Sequence, residues 1–255
     1  MRCALRCAWA DRMRVLVGAD ESAVARAAAA LITERRPNVL GVATGSSPVL
    51  TYRELVRARS LPGNVQLCLL DEYVGLAPTD PHRYRAVIMA QLAAPLGLPD
   101  HHVHAPDVDA DDLDLAAQRY EQLLCELGGV DVQLLGIGRN GHIGFNEPGT
   151  PIESRTHVGF LHDATRVDNA RFFASLDHVP HKVVTQGLAT IAGARSIILI
   201  ATGAAKNEAT TALVTRRQSP LVPASGLFDH PDLTVIGDHA ALDGATYPRT
   251  LLEPV

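Results

Sequence analysis

Residues 136–149 read G-I-G-R-N-G-H-I-G-F-N-E-P-G, and Asn140, His142, Asn146 and Glu147 in this run are the side chains best suited to chemistry. His142 and Glu147 stand five positions apart, and Asn140 lies two before the histidine. An imidazole flanked by a carboxylate and an amide can be held in one tautomer and tuned as an acid/base near neutral pH. The apolar run just before it, residues 130–135, reads as a buried strand. A glycine-punctuated loop at a strand's carboxyl end lies where open α/β sheets bind ligands. Taken alone, the pattern fits a tight turn with a solvated histidine as well as it fits a site. No cysteine or second histidine joins the group, so no metal cluster is expected there.

Four further stretches carry usable groups. Thr44-Gly45-Ser46-Ser47-Pro48 stands between an apolar run and a helical pattern, and offers hydroxyls, free amides and a helix N-terminus to a phosphate. The same residues also make a plain N-cap followed by Pro. Asp71-Glu72 closes the strand expected over residues 65–70, as an acid pair or as a turn. Arg166, Asn169 and Arg171 fall in a helical pattern over residues 162–173, and Gly203-Ala204-Ala205-Lys206 is a strand-to-helix turn bearing one of only two lysines, with Lys182. His101, His102 and His104 are close in sequence, but alternation in a short strand splits them between faces, so they are expected at the surface.

The elements that must position these groups alternate. Strands are expected at residues 15–18, 39–43, 65–70, 130–135, 155–160, 196–202 and 233–236, and helices at about 20–35, 49–58, 82–96 and 109–127. Such alternation implies a mostly parallel open sheet covered by helices on both faces, a Rossmann-like α/β fold. The 255 residues, 47% hydrophobic and without a linker or repeat, suit one α/β domain over residues 13–255. Residues 1–12 break each apolar run with Arg or Asp and are expected to be an extension, with translation starting at Met13. A net charge of −5 without a basic stripe argues against nucleic acid, and no apolar run reaches the roughly 20 residues that span a bilayer. Cys3, Cys7, Cys68 and Cys125 lack metal-ligand spacing, which fits a reduced, cytoplasmic protein.

The run ending F-N-E-P-G resembles the signature loop of glucosamine-6-phosphate deaminases, which convert glucosamine 6-phosphate and water to fructose 6-phosphate and ammonia. The related 6-phosphogluconolactonases share G-x-G-x-x-G-H but follow it with a different tail, so Asn146-Glu147-Pro148 favours the deaminase. Residues 44–48 resemble the family's phosphate loop, residues 71–76 (D-E-Y-V-G-L) its proton-shuttle element, residues 162–173 its helical lid, and residues 203–206 its second phosphate contact.

The resemblance implies that Asp71 moves a proton at the sugar's C2 and that His142, oriented by Asn140 and Glu147, opens the ring. It implies a phosphate held by Thr44, Gly45, Ser46, Ser47, Arg171 and Lys206, no organic cofactor, and a monomer or small homo-oligomer. Many members carry Asp where this chain has Asn140, and the usual Ser-Tyr pair is Arg83-Tyr84 here. A lactonase and a non-catalytic sugar-phosphate sensor remain the alternatives. A dinucleotide-binding protein fits less well, because the glycine loop follows a late strand.

Overall fold

In the computed structural model, which describes residues 13–215, 218–244 and 250–251, strands rich in Val, Ile and Leu form one eight-stranded sheet. The reading of residues 1–12, with Cys3 and Cys7, lies outside the described residues. Strand β1 (Met13–Gly18) is followed by helix α1 (Glu21–Arg35), β2 (Val39–Val42), α2 (Val49–Ala58), β3 (Gln66–Leu69) and the short β4 (Asp71–Tyr73). A helical stretch follows, made of α3 (Tyr84–Ile88), a π-helical turn (Met89–Ala93) and α4 (Ala94–Leu96). Next come β5 (Val103–His104), α5 (Leu113–Glu126), β6 (Val132–Gly136), β7 (His157–Phe160), α6 (Asp163–Asn169), β8 (Lys182–Thr185) and α7 (Leu188–Ala192). The chain then runs through β9 (Ser196–Ala201), α8 (Asn207–Val214), β10 (Leu233–Asp238) and β11 (Thr250–Leu251).

The main sheet has the order β11-β1-β10-β9-β6-β2-β3-β5, and every pairing in it is parallel. Strand alternation loads both faces. Ile197 and Leu199 pack with Tyr120, Leu188 and Leu213 from α5, α7 and α8, while Ile198 and Ile200 pack with Ile32, Leu55 and Ile88 from α1, α2 and α3. All six residues of β9 are buried, as expected of a central parallel strand. Asp20 caps α1 by accepting from the Ala23 amide at 2.8 Å, and the helix stops at Arg36 in the left-handed region, φ 46°.

The expected α/β architecture is therefore present, with one addition. A second sheet, β4-β8-β7, is antiparallel and carries the end of β3 away from the main sheet. Its period-two pattern is too short to register as alternation, because β4 has only three residues. Gln186 stitches the two sheets together, its amide donating to the Leu70 carbonyl at 2.7 Å and its Nε2 to the Leu69 carbonyl at 3.0 Å.

Three expected bounds are corrected: the helix expected from about residue 109 starts at Leu113, because Asp112 caps it by accepting from the Leu115 amide at 2.9 Å. The strand expected from residue 155 starts at His157, because the Thr156 amide and hydroxyl donate to the Glu121 carboxylate instead of to a neighbouring strand. The helix expected over residues 162–173 ends at Asn169 and tightens into a 3-10 turn, Ala170–Phe172. That tightening sends Phe173 inward against Tyr73 and His82 and leaves Phe172 exposed beneath the Arg171 guanidinium.

Candidate active site

The strand order reverses between β2 and β6: from β2 the chain moves outward to β3 and β5, and from β6 it moves the other way to β9 and β10. Loops leaving the carboxyl ends of β2 and β6 therefore part there and open a crevice, the usual ligand position in such sheets. The two loops that sequence chemistry singled out line that crevice, with Asp71 from the start of β4, Arg171 after α6 and Lys206 after β9.

The base is built around His142. Its Nδ1 lies 2.7 Å from Asn140 Oδ1, and Asn140 Nδ2 donates to Glu147 Oε2 at 2.8 Å. An ionised carboxylate only accepts, so it fixes which way the Asn140 amide faces. The amide oxygen then faces the imidazole, which places the proton on Nδ1 and leaves the Nε2 lone pair as the free base. Glu147 Oε2 stands 3.8 Å from Nδ1, near enough to favour an imidazolium as it forms. Burial pushes the His142 pKa below the ordinary imidazole value, opposed by Glu147 and reinforced by Lys206. A Cβ on Gly138 would sit 2.3 Å from His142 Nδ1, so the bare backbone there makes room for the ring.

Asp71 is 5% exposed, and burial together with neighbouring Glu72 holds its pKa well above the usual carboxylate range. Glu72 points away from the crevice and accepts from the amides of Tyr73, Tyr84 and Arg85 at 2.9, 2.9 and 2.8 Å. It thereby ties α3 to β4, and Tyr84 joins the crevice wall.

The anion side comes from three elements. Gly45 adopts φ +89° with open space around it, which only glycine does without strain, and Ser46 accepts from Arg171 Nη2 at 3.2 Å. Helix α2 begins at Val49 with Pro48 as its cap and no side-chain cap bond, so its first amides stay open to an anion. The Lys206 ammonium lines the same crevice with no side-chain hydrogen bond or salt bridge among the described residues, and burial, then Arg139 and Arg171, lower its pKa against the pull of Asp168.

The model for glucosamine-6-phosphate isomerases/6-phosphogluconolactonase matches residues 12–235. The chain belongs to this family. It is 44% identical over 240 residues to a glucosamine-6-phosphate deaminase of Bacillus velezensis, covering 91% of this chain and 100% of the relative. It is 47% identical over 233 residues to one of Arthrobacter sp., covering 89% of this chain and 90% of the other. A solved monomeric glucosamine-6-phosphate deaminase superposes with a TM-score of 0.85 at 40% identity, over 89% of this chain and 98% of that one. The 6-phosphogluconolactonase of Leishmania guyanensis, at 23% identity over 91% of this chain and 98% of its own, shares the fold with a TM-score of 0.73.

The residues to which the resemblance gives a role at the site fall at this crevice or directly behind it. Thr44, Gly45, Ser46, Ser47, Asp71, His142, Arg171 and Lys206 line it, while Asn140 and Glu147 stand behind the imidazole. Asn146 is different: fully buried, it donates to the carbonyls of Ile143 and Gln186 at 2.9 and 2.7 Å and pins the loop to β8. The sequence reading passed over Arg139, Thr165 and Asp168, which also line the crevice. Arg139 pairs with Asp168 across to α6, and Thr165 donates to Glu147. Their signal is the helical spacing 165, 168, 169, which puts three polar groups on one face of α6. His101, His102 and His104 stand apart from the crevice, with His104 Nε2 2.8 Å from Gln66 Oε1.

Proposed function

We propose that the chain is a glucosamine-6-phosphate deaminase, converting glucosamine 6-phosphate and water to fructose 6-phosphate and ammonia. The observation that carries this reading is the joint placement around one crevice of His142 with a free Nε2, the buried carboxyl of Asp71, and an anion grip of Ser46, Arg171 and Lys206. The names of the relatives at 44 and 47% identity favour the deaminase over the lactonase.

The phosphate binds to Thr44, Gly45, Ser46, Ser47, Arg171 and Lys206, and this remote dianion fixes the sugar's reacting carbons beside their acid and base. His142 Nε2 takes the C1 hydroxyl proton and returns it to the ring oxygen, giving the open aldehyde. Asp71 then removes the C2 proton and delivers it to C1, while one proton of the C2 ammonium passes to the aldehyde oxygen, which turns the ammonium aldehyde into a C2 iminium beside a C1 hydroxymethyl group. Water adds to C2, the C–N bond breaks, and ammonia leaves as the ketone forms. The raised pKa of Asp71 suits this role: burial makes its carboxylate a stronger base than a free one, and the C2 ammonium of the incoming substrate supplies a counter-charge that favours the ionised form. His142 and Asp71 carry the ring opening and the C2-to-C1 proton shift, and the reading includes no organic cofactor and no metal.

The protein acts in this reading as a cytoplasmic monomer or small homo-oligomer, a single unit over residues 13–255 with residues 1–12 as an extension. Among the described residues no helix is long and apolar enough to cross a membrane. The substrate class is tested by offering glucosamine 6-phosphate and 6-phosphogluconolactone separately. Consumption of the amino sugar alone is expected, and lactone hydrolysis without ammonia release would transfer the chain to the sister activity.

A further inference from the structure

Helix α6 and the 3-10 turn after it make four side-chain links to three separate parts of the molecule within seven residues. Thr165 Oγ1 donates to Glu147 Oε1, Asp168 pairs with Arg139, Asn169 Nδ2 donates to the Tyr73 hydroxyl at 2.9 Å, and Arg171 Nη2 donates to Ser46 at 3.2 Å. On the opposite face Arg166 is buried, and its Nη2 donates to the carbonyls of Leu176 and Val179 at 3.0 and 3.3 Å, closing the segment on itself. Of these links the one from Thr165 joins the hydrogen-bonded chain that ends at the base.

Glu147 has two carboxylate oxygens and both are engaged. Oε1 accepts from Thr165, and Oε2 accepts from Asn140. Thr165 and Glu147 are 4% and 7% exposed, so solvent offers little substitute for a missing donor. Oε2 and the His142 backbone amide, which donates to Asn140 Oδ1 at 3.2 Å, together set the direction of the Asn140 amide, and the His142 tautomer depends on that amide. We propose that Thr165 is a positioning residue, which through Glu147 and Asn140 holds the proton of His142 on Nδ1. The segment that carries Arg171 to the phosphate loop thus also sets the catalytic base. This assignment rests on the deaminase reading for its kinetic consequence, whereas its structural half does not.

The variant Thr165→Val keeps the shape of the side chain and removes the donor, and Thr165→Ser keeps the donor and removes the methyl. For Thr165→Val we expect kcat on glucosamine 6-phosphate to fall about 10- to 100-fold, as for loss of a hydrogen bond to a buried charged group, with KM within about twofold. Thr165→Ser should recover most of the rate. In 15N-histidine spectra, the His142 signals, identified by their loss in His142→Gln, should report the Nδ1–H tautomer in the wild type and a tautomer mixture in Thr165→Val. Unchanged kcat and tautomer in Thr165→Val would overturn the assignment. So would equal losses in Val and Ser variants, or a loss confined to KM. If Thr165→Val does not fold, Thr165→Ala against Thr165→Ser carries the same comparison. A wild-type protein inert toward glucosamine 6-phosphate would defeat the deaminase reading alone, since the tautomer measurement still decides the role of Thr165.

Discussion

At the scale of single residues, the crevice trades stability for chemistry at Asp71. Its folded-state pKa is raised by burial, so the folded protein holds this proton more tightly than the unfolded chain does. The associated stability is complete below the unfolded carboxylate pKa and is lost as pH rises through the folded value. At neutral pH, Asp71→Asn should therefore raise Tm by about 2–4 °C while lowering kcat by roughly 10²–10⁴, because the amide fits the site and cannot move a proton. Calorimetry and steady-state assays on the same sample check both halves, and unchanged turnover would remove Asp71 from its role. For His142 the sign is reversed: the folded imidazole has the lower pKa, so protonation favours the unfolded chain and disables the base. The acid limb of the kcat/KM profile should lie below the ordinary imidazole value, and an acid limb above it would count against Nε2 as the base. Lys206→Ala should raise KM and also lower kcat, since phosphate binding is used for positioning. Wild-type values of both constants would exclude Lys206 from the anion grip.

At the scale of elements, the loop after β6 works because glycine lets backbone and ring approach closely. Gly138→Ala would drive a Cβ to within 2.3 Å of His142 Nδ1, so kcat should fall at least about 10-fold while β6 and its parallel partners keep the fold. Circular dichroism and kinetics together separate that result from unfolding. This loop was readable in the chain because its chemistry is local: His142, Asn140 and Glu147 sit within eight positions, and the hydrogen bonds among them stay inside the loop. The parallel strands were readable for the same reason, since β6 and β9 are near-continuous apolar runs bounded by glycine-bearing turns. The antiparallel sheet was not, because β4 and β8 become strands through pairing across more than a hundred residues, Asp71 with Thr185. Thr165 and Arg139 escaped notice for a like reason: a threonine in a helix and an arginine in a loop gain meaning only through Glu147 and Asp168, which the fold brings to them.

At the scale of the whole molecule, the fold also bears on regulation. The resemblance to the deaminases implies that an activator site, held in regulated members by a serine pair after the signature loop and basic residues on the next strand, would fall here at Thr150-Pro151 and His157-Val158-Gly159. The Thr150 hydroxyl already donates to the Glu147 carbonyl at 2.8 Å, and His157 Nδ1 lies 2.8 Å from the Arg155 carbonyl. Few charge-assisted donors are left for a second phosphate, and without differential affinity there is no shift between states. Substrate curves should be hyperbolic and indifferent to N-acetylglucosamine 6-phosphate, with light scattering giving a monomer or small oligomer; sigmoidal curves that straighten on adding that compound would contradict this. The central claim, that one crevice isomerises and deaminates an amino-sugar phosphate, is tested most directly by measuring ammonia and fructose 6-phosphate together from glucosamine 6-phosphate. The account predicts equal amounts of the two products from the wild-type protein and a matching fall of both, by roughly 10²–10⁴ in rate, in Asp71→Asn. Ammonia without fructose 6-phosphate, or no turnover of the amino sugar by wild type, would contradict it.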